Sequence, residues 1–157
     1  MNQRISSILS ATILLDFLIL SLTSLSAQKT NVLFIPVDDL KPLLGVYGDP
    51  LVKTPNIDRL AKTGTVFLNN SCQQAICGPT RASLLTGMYP DYTQVWDLRT
   101  KMRDINPQIL TIPQYFKNQG YTTAGIGKTF DNRCVDNGQD MDKPSWSIPY
   151  PVSYTHL

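Results

Sequence analysis

Cys77 opens the run Cys77-Gly78-Pro79-Thr80-Arg81-Ala82-Ser83-Leu84-Leu85-Thr86-Gly87, and its neighbours decide what its sulfur can do. Proline suits the start of a helix, where its missing N–H leaves no bond unmade. The run therefore predicts a helix over 79–86, with Cys77 at its entrance and Gly87 closing it. Unpaired N–H groups and the positive end of the helix dipole gather at such an entrance and attract an anion. Arg81 lies four residues beyond Cys77, about one turn on, and so falls on the same face. A nucleophile precursor, a helix N-terminus and a guanidinium converging on one point suit a tetrahedral oxyanion such as sulfate or phosphate.

Other elements must bring further groups to that point. Residues 31–37 form a continuous apolar run, which predicts a strand buried on both faces, as in a parallel sheet. It ends in Asp38-Asp39, at the carboxyl end of a strand, where α/β sheets hold their ligands. Thr54-Pro55 predicts a helix with Thr54 as its N-cap, an apolar face of Ile57, Leu60 and Ala61, and a stop at Gly64. Residues 65–68 are a short strand candidate. Thr111 caps a helix running to Gln119, with Pro113 in its first turn and Gly120 after it. Residues 121–127 predict a strand that delivers Lys128 at its end. This alternation argues for an α/β fold with a largely parallel sheet.

The 157 residues suit one domain, and a net charge of +2 gives no reason to expect nucleic acid. Every acidic residue is Asp, which has no evident physical reason. Residues 1–27 read as a signal peptide: Arg4 precedes a mostly apolar stretch, and Ser24-Leu25-Ser26-Ala27 offers small residues for cleavage. Asp16 within that stretch argues against a stable membrane anchor, so export to a periplasmic or extracellular space is expected. Cys72, Cys77 and Cys134 are an odd set; free thiols are expected, with a Cys72–Cys134 disulfide as the alternative. Residues 151–157 back-translate to CCT GTC TCT TAT ACA CAT CTT, which contains a transposon-end sequence used in library preparation. They are therefore expected to be non-native, which removes functional meaning from His156, the chain's one histidine.

Taken together, these motifs resemble those of the type I sulfatases. The Cys77–Gly87 run resembles the family's first signature. The run Gly120-Tyr121-Thr122-Thr123-Ala124-Gly125-Ile126-Gly127-Lys128-Thr129-Phe130 resembles the second, and Val37-Asp38-Asp39-Leu40 resembles a metal motif. Within the family the chain is most similar to the iduronate-2-sulfatase-like members. Asp38-Asp39-Leu40-Lys41-Pro42, Thr54-Pro55-Asn56-Ile57-Asp58 and Gln73-Gln74-Ala75-Ile76-Cys77 carry that likeness. The resemblance implies an alkaline-phosphatase-like α/β/α sandwich, of which residues 28–150 supply an incomplete N-terminal part. It implies that a formylglycine-generating enzyme oxidises Cys77 to Cα-formylglycine, reading Pro79 and Arg81. Asp38, Asp39 and the modified Cys77 would bind Ca²⁺, a hard cation that prefers oxygen. Arg81 would steady the formylglycine and the metal-site carboxylates, and Lys128 would reach the sulfate oxygens. A sulfated glycan would be the substrate. A phosphonate or phosphodiester hydrolase, and a non-catalytic glycan-binding relative with unconverted Cys77, are the alternatives.

Two departures from the family pattern stand out. Thr80 replaces the commoner Ser and keeps the hydroxyl. Asp131 replaces the histidine that commonly follows Lys-x-Phe, which puts that histidine's contact to formylglycine or sulfate in question. Between the signatures, residues 91–107 carry Trp96, Arg99, Lys101 and Arg103, either as a glycan-contacting loop or as a solvated connection.

Overall fold

The computed structural model describes residues 29–151, so the leader and all but the first residue of the suspect tail lie outside the described residues. The chain divides between Ile35 and Pro36 into two units, and every residue of the site described below belongs to the second. That second unit is helical. We label its α-helices α1 (Pro55–Ala61), α2 (Cys77–Thr86), α3 (Pro90–Thr93), α4 (Met102–Ile105) and α5 (Ile112–Asn118). Short 3₁₀ turns flank them, Gly45–Tyr47 before α1 and Asn132–Cys134 and Lys143–Ser145 after α5.

Helix α2 is central. Gly78, Pro79, Arg81, Ala82, Ser83 and Leu85 are all buried along it, and it packs against α3, α5 and the Asn132–Cys134 turn. Ala82 and Leu85 join Val95, Met102, Ile109, Phe130, Cys134, Met141, Trp146 and Tyr150 in one apolar core. The helix begins two residues earlier than the proline predicts: Ile76 is the N-cap and Cys77 the first helical residue. Pro79 is thus the third helical position, which still lacks an intrahelical partner for an N–H, so proline costs nothing there. Gly87 ends the helix in the left-handed region (φ 69°), its N–H donating to Ser83 O at 2.8 Å.

The other predicted helices form with small changes. Thr111 caps α5 by accepting from Gln114 N at 3.2 Å. Thr54 precedes α1, but its hydroxyl accepts from Gly45 N and donates to Asp58 Oδ1, both at 3.0 Å, instead of capping the helix.

The three predicted strands are not found: the described residues contain no strand. Residues 31–37 are exposed, with Leu33 at 84% and Ile35 at 71%, the reverse of a buried sheet strand. Phe67 and Leu68 in the second candidate are exposed as well. A parallel strand needs neighbours on both edges and cover on both faces, and sequence pattern alone supplies neither. In residues 121–127 the backbone is engaged otherwise. Thr123 O accepts from Ser147 N and Ile148 N, and Thr123 N donates to Ser147 Oγ at 3.1 Å. Threonine and serine hydroxyls thereby replace a ladder with a local clasp. Gly125 sits beneath Trp146 and Tyr150, where a Cβ would lie 2.7 Å from the indole. The three cysteines are free: Cys72 exposed, Cys77 half-buried, Cys134 buried.

Gly78 has no room for a side chain: a Cβ there would collide with Cys134 Sγ and lie 3.1 Å from Asp97 O. Gly78→Ala is expected to destabilise the full-length protein by about 1–3 kcal/mol, the usual cost of overpacking. A thermal melt of the variant beside wild type checks it.

Candidate functional site

Arg81 ties the site together. Its side chain is 5% exposed. One terminal nitrogen donates to the carbonyls of Lys128 and Thr129, the latter at 2.9 Å; the other donates to Asp38 Oδ1 at 2.9 Å. The planar guanidinium fork thus joins a turn at residue 38 to a turn at residue 128 across helix α2.

Lys128 closes the same loop from outside. Its ammonium meets Asp38 Oδ2 at 2.5 Å. The Lys128 bond, with help from Arg81, holds the Asp38 carboxyl below the usual carboxylate range despite some desolvation. Burial works against the charge on Lys128, but its bond to Asp38 and the nearness of Cys77 outweigh that and raise its pKa. Both groups are therefore held in their charged forms.

Asp39 adopts φ 52°, a left-handed conformation that Asp tolerates better than most residues. One donor atom from each of Asp38, Asp39 and Cys77 lies within 4.8 Å of the others. Thus the structure brings together all five residues singled out in the sequence: Asp38, Asp39, Cys77, Arg81 and Lys128. It assigns Arg81 an interior position, touching carboxylate and carbonyls.

The loop between the signatures is not gathered in the same way. Arg103 donates through Nη2 to Asp142 Oδ2 at 2.8 Å and Gln114 Oε1 at 2.9 Å, and through Nη1 to Ile109 O at 2.9 Å. It is a structural clamp, with Asp142 buried beneath it. Trp96 and Arg99 are exposed.

Asp131, the residue in place of histidine, is buried, with its side chain 1% exposed. Its Oδ1 accepts from Arg133 N and Nε, its Oδ2 accepts from Arg133 Nη2 at 2.8 Å, and Oδ2 stands 4.0 Å from Lys128 Nζ. Burial opposes its ionisation, but the bonds from Arg133 win and its pKa is lowered. Arg133 is the neighbour that the motif reading overlooked. The signal was available: a histidine position turned acidic, with a cation two residues on. Nearby, burial pushes the Cys134 thiol up to about 11, so it stays protonated and inert beneath α2.

Paired carboxylates, a modifiable side chain at a helix entrance, and an ammonium beside it suit hydrolysis of a tetrahedral oxyanion ester. Comparison with known proteins identifies the family. The family model for Sulfatase matches residues 30–150. The chain is 49% identical over 124 residues to iduronate 2-sulfatase of Homo sapiens and 46% identical over 124 residues to that of Mus musculus. Each match covers 79% of this chain and 22% of the relative. It is also 37% identical over 116 residues to a sulfatase of Formosa agariphila, covering 69% of this chain and 23% of that protein. The chain belongs to the sulfatase family, whose fold is of the alkaline-phosphatase-like α/β kind. It spans less than a quarter of the length of these relatives. Among the described residues no helix is long and apolar enough to cross a membrane.

Arg81→Lys keeps the charge but not the fork. It is expected to cost about 2–3 kcal/mol, the worth of a hydrogen bond to a charged group left unmade, read as a lower thermal midpoint. The depressed pKa of Asp131 adds stability that is complete above about pH 4, the unfolded carboxylate value, and is lost as pH falls through the native value. The stability gap between wild type and Asp131→Asn should therefore narrow on acidification below that pH, as denaturant titrations at successive pH values would record.

Proposed function

We propose that residues 28–150 form part of the catalytic domain of an exported, calcium-dependent sulfuric ester hydrolase acting on a sulfated glycan. The observation that carries this reading is the meeting of Asp38, Asp39 and Cys77 donor atoms within 4.8 Å, with Lys128 and Arg81 anchored on Asp38. The names of the human and mouse relatives make a sulfated uronic acid the first sugar to test. The complete domain would be the α/β/α sandwich with a parallel sheet, and the leader read in residues 1–27 fits export.

The donor set fits a cation and a modified cysteine together. Carboxylate oxygens suit hard Ca²⁺, whereas a thiol sulfur does not. Conversion of Cys77 to formylglycine would place oxygen at that third position. When bound, the cation supplies polarisation of a sulfate oxygen. Hydrated at Cys77, that group would supply two hydroxyls, one a nucleophile toward sulfur and the other a means of releasing sulfate. Pro79 is fully buried and Arg81 nearly so, so a formylglycine-generating enzyme would have to read this run before the chain folds.

The remaining work belongs to the chain's own residues. Lys128 holds a positive charge where the sulfate oxygens become more negative. Asp38 and Asp39 present anionic oxygens on one side of Cys77. Arg81 positions Asp38 and fixes the backbone that carries Lys128, so the two charged groups keep their spacing through the reaction.

Two measurements test the proposal in the full-length protein, expressed in a host with the modifying enzyme. The peptide spanning Cys77 should be lighter than its sequence mass by one sulfur and two hydrogens and heavier by one oxygen. Turnover of an aryl sulfate should fall by at least ~10³-fold in Cys77→Ala, as when a covalent nucleophile is removed, and should fall with EGTA and return with Ca²⁺. An unmodified Cys77 in that host would sink the hydrolase reading.

A further inference from the structure

Arg133 is a cation at this site with no part in the chemistry above. Its side chain is half exposed, while the carboxylate that holds it is buried to 1%. Nε and Nη2 are spent on Asp131, and Nη1 has no hydrogen-bond partner among the described residues. Two bonds to one carboxylate fix the plane of the guanidinium. The same carboxylate is shared with Lys128, at 4.0 Å. The exposed edge of Arg133 is therefore held one carboxylate away from the ammonium that would meet sulfate.

An ordinary surface ion pair does not require this arrangement. Exposed pairs leave both partners in water and contribute little. Here Asp131 gives up its hydration beside Lys128, and the cation that compensates it stays partly in solvent. The other two cations are less exposed: Arg81 is buried on Asp38 and two carbonyls, and Lys128, 20% exposed, is paired with Asp38. Arg133, 50% exposed and held by two bonds to Asp131, is the most open of the three.

We infer that Arg133 binds a second anionic group of the substrate, a carboxylate carried on the same sugar as the sulfate, with Asp131 as its positioning residue. This deepens the proposed function and rests on it. A guanidinium edge matches a planar carboxylate, and a neutral sulfated sugar would leave it unpaired. The residue thus selects sulfated uronic acids over sulfated neutral sugars. Asp131 in place of histidine is then explained: the carboxylate orients Arg133 and also faces Lys128.

The test uses the full-length, formylglycine-bearing enzyme and a matched pair of substrates: a 2-sulfated iduronic acid glycoside and its carboxyl-reduced counterpart. Wild type should prefer the carboxylate-bearing sugar in kcat/KM by about 10- to 100-fold, the range of a charge-assisted hydrogen bond. In Arg133→Gln this preference should collapse, chiefly through a higher KM for the uronic acid. Arg133→Lys should keep part of it. Because Arg133→Gln strips buried Asp131 of its two guanidinium bonds, the double variant Asp131→Asn/Arg133→Gln serves as a second measurement free of that burden, and it should show the same collapse. A preference that survives in both variants, or a wild type that hydrolyses both sugars equally, would overturn the inference while leaving the sulfatase reading intact. A modified wild type that hydrolyses neither sugar nor an aryl sulfate would instead remove the sulfatase reading, and this inference with it.

Discussion

The site depends on one buried guanidinium. Arg81 reaches from helix α2 to Asp38 on one side and to the carbonyls of Lys128 and Thr129 on the other. No other side chain links those two turns, among the described residues, except Lys128 through the same Asp38. The planar fork of Arg81 cannot be copied by lysine. Asp38 is therefore held ionised and aimed, and the backbone that carries Lys128 is held with it. A helix residue thus sets the spacing of two loop residues, Asp38 and Lys128.

That guanidinium works only because α2 is itself immobile. Gly78 lets the first turn of the helix press onto Cys134, and Ala82 and Leu85 enter the core behind it. Cys77 sits on this buried turn yet is half exposed, so the reactive position is rigid without being closed off. Around it charges alternate. Arg81 and Lys128 flank Asp38, while Arg133 and Lys128 flank Asp131. Each carboxylate has two cationic neighbours, which keeps all of them charged in a partly desolvated place.

Much of this was legible in the residues themselves. Proline, threonine and glycine located α1, α2 and α5 to within about a turn, because capping and backbone restriction act within a few residues, although α2 starts at Cys77 and Thr54 does not cap α1. That Asp38, Asp39, Cys77, Arg81 and Lys128 would meet was legible as well, because carboxylates, cations and a cysteine at these positions suit one another. The strands were not. Residues 31–37 have the composition of a sheet interior, but a strand exists only beside another strand, and here they are exposed. Residues 121–127 have strand-like composition, yet Thr123 spends its backbone on Ser147 and Ile148. Arg103 belonged to a stretch readable either as a glycan-contacting loop or as a solvated connection, and the fold makes it a clamp on Asp142, a partner 39 residues away.

By itself, then, the sequence determined which atoms can react and where helices begin, since both are local properties of side chains and backbone. Tertiary structure decided which partner each charge takes. Arg81 and Lys128 could each have faced solvent, as isolated cations on a surface do. Only the fold brings them to Asp38, 43 and 90 residues away in the chain, and only burial makes the choice of partner matter. Asp131 and Arg133 illustrate the same point at short range. Their spacing permits a pair, but desolvation of the one and exposure of the other turn that pair into an oriented donor.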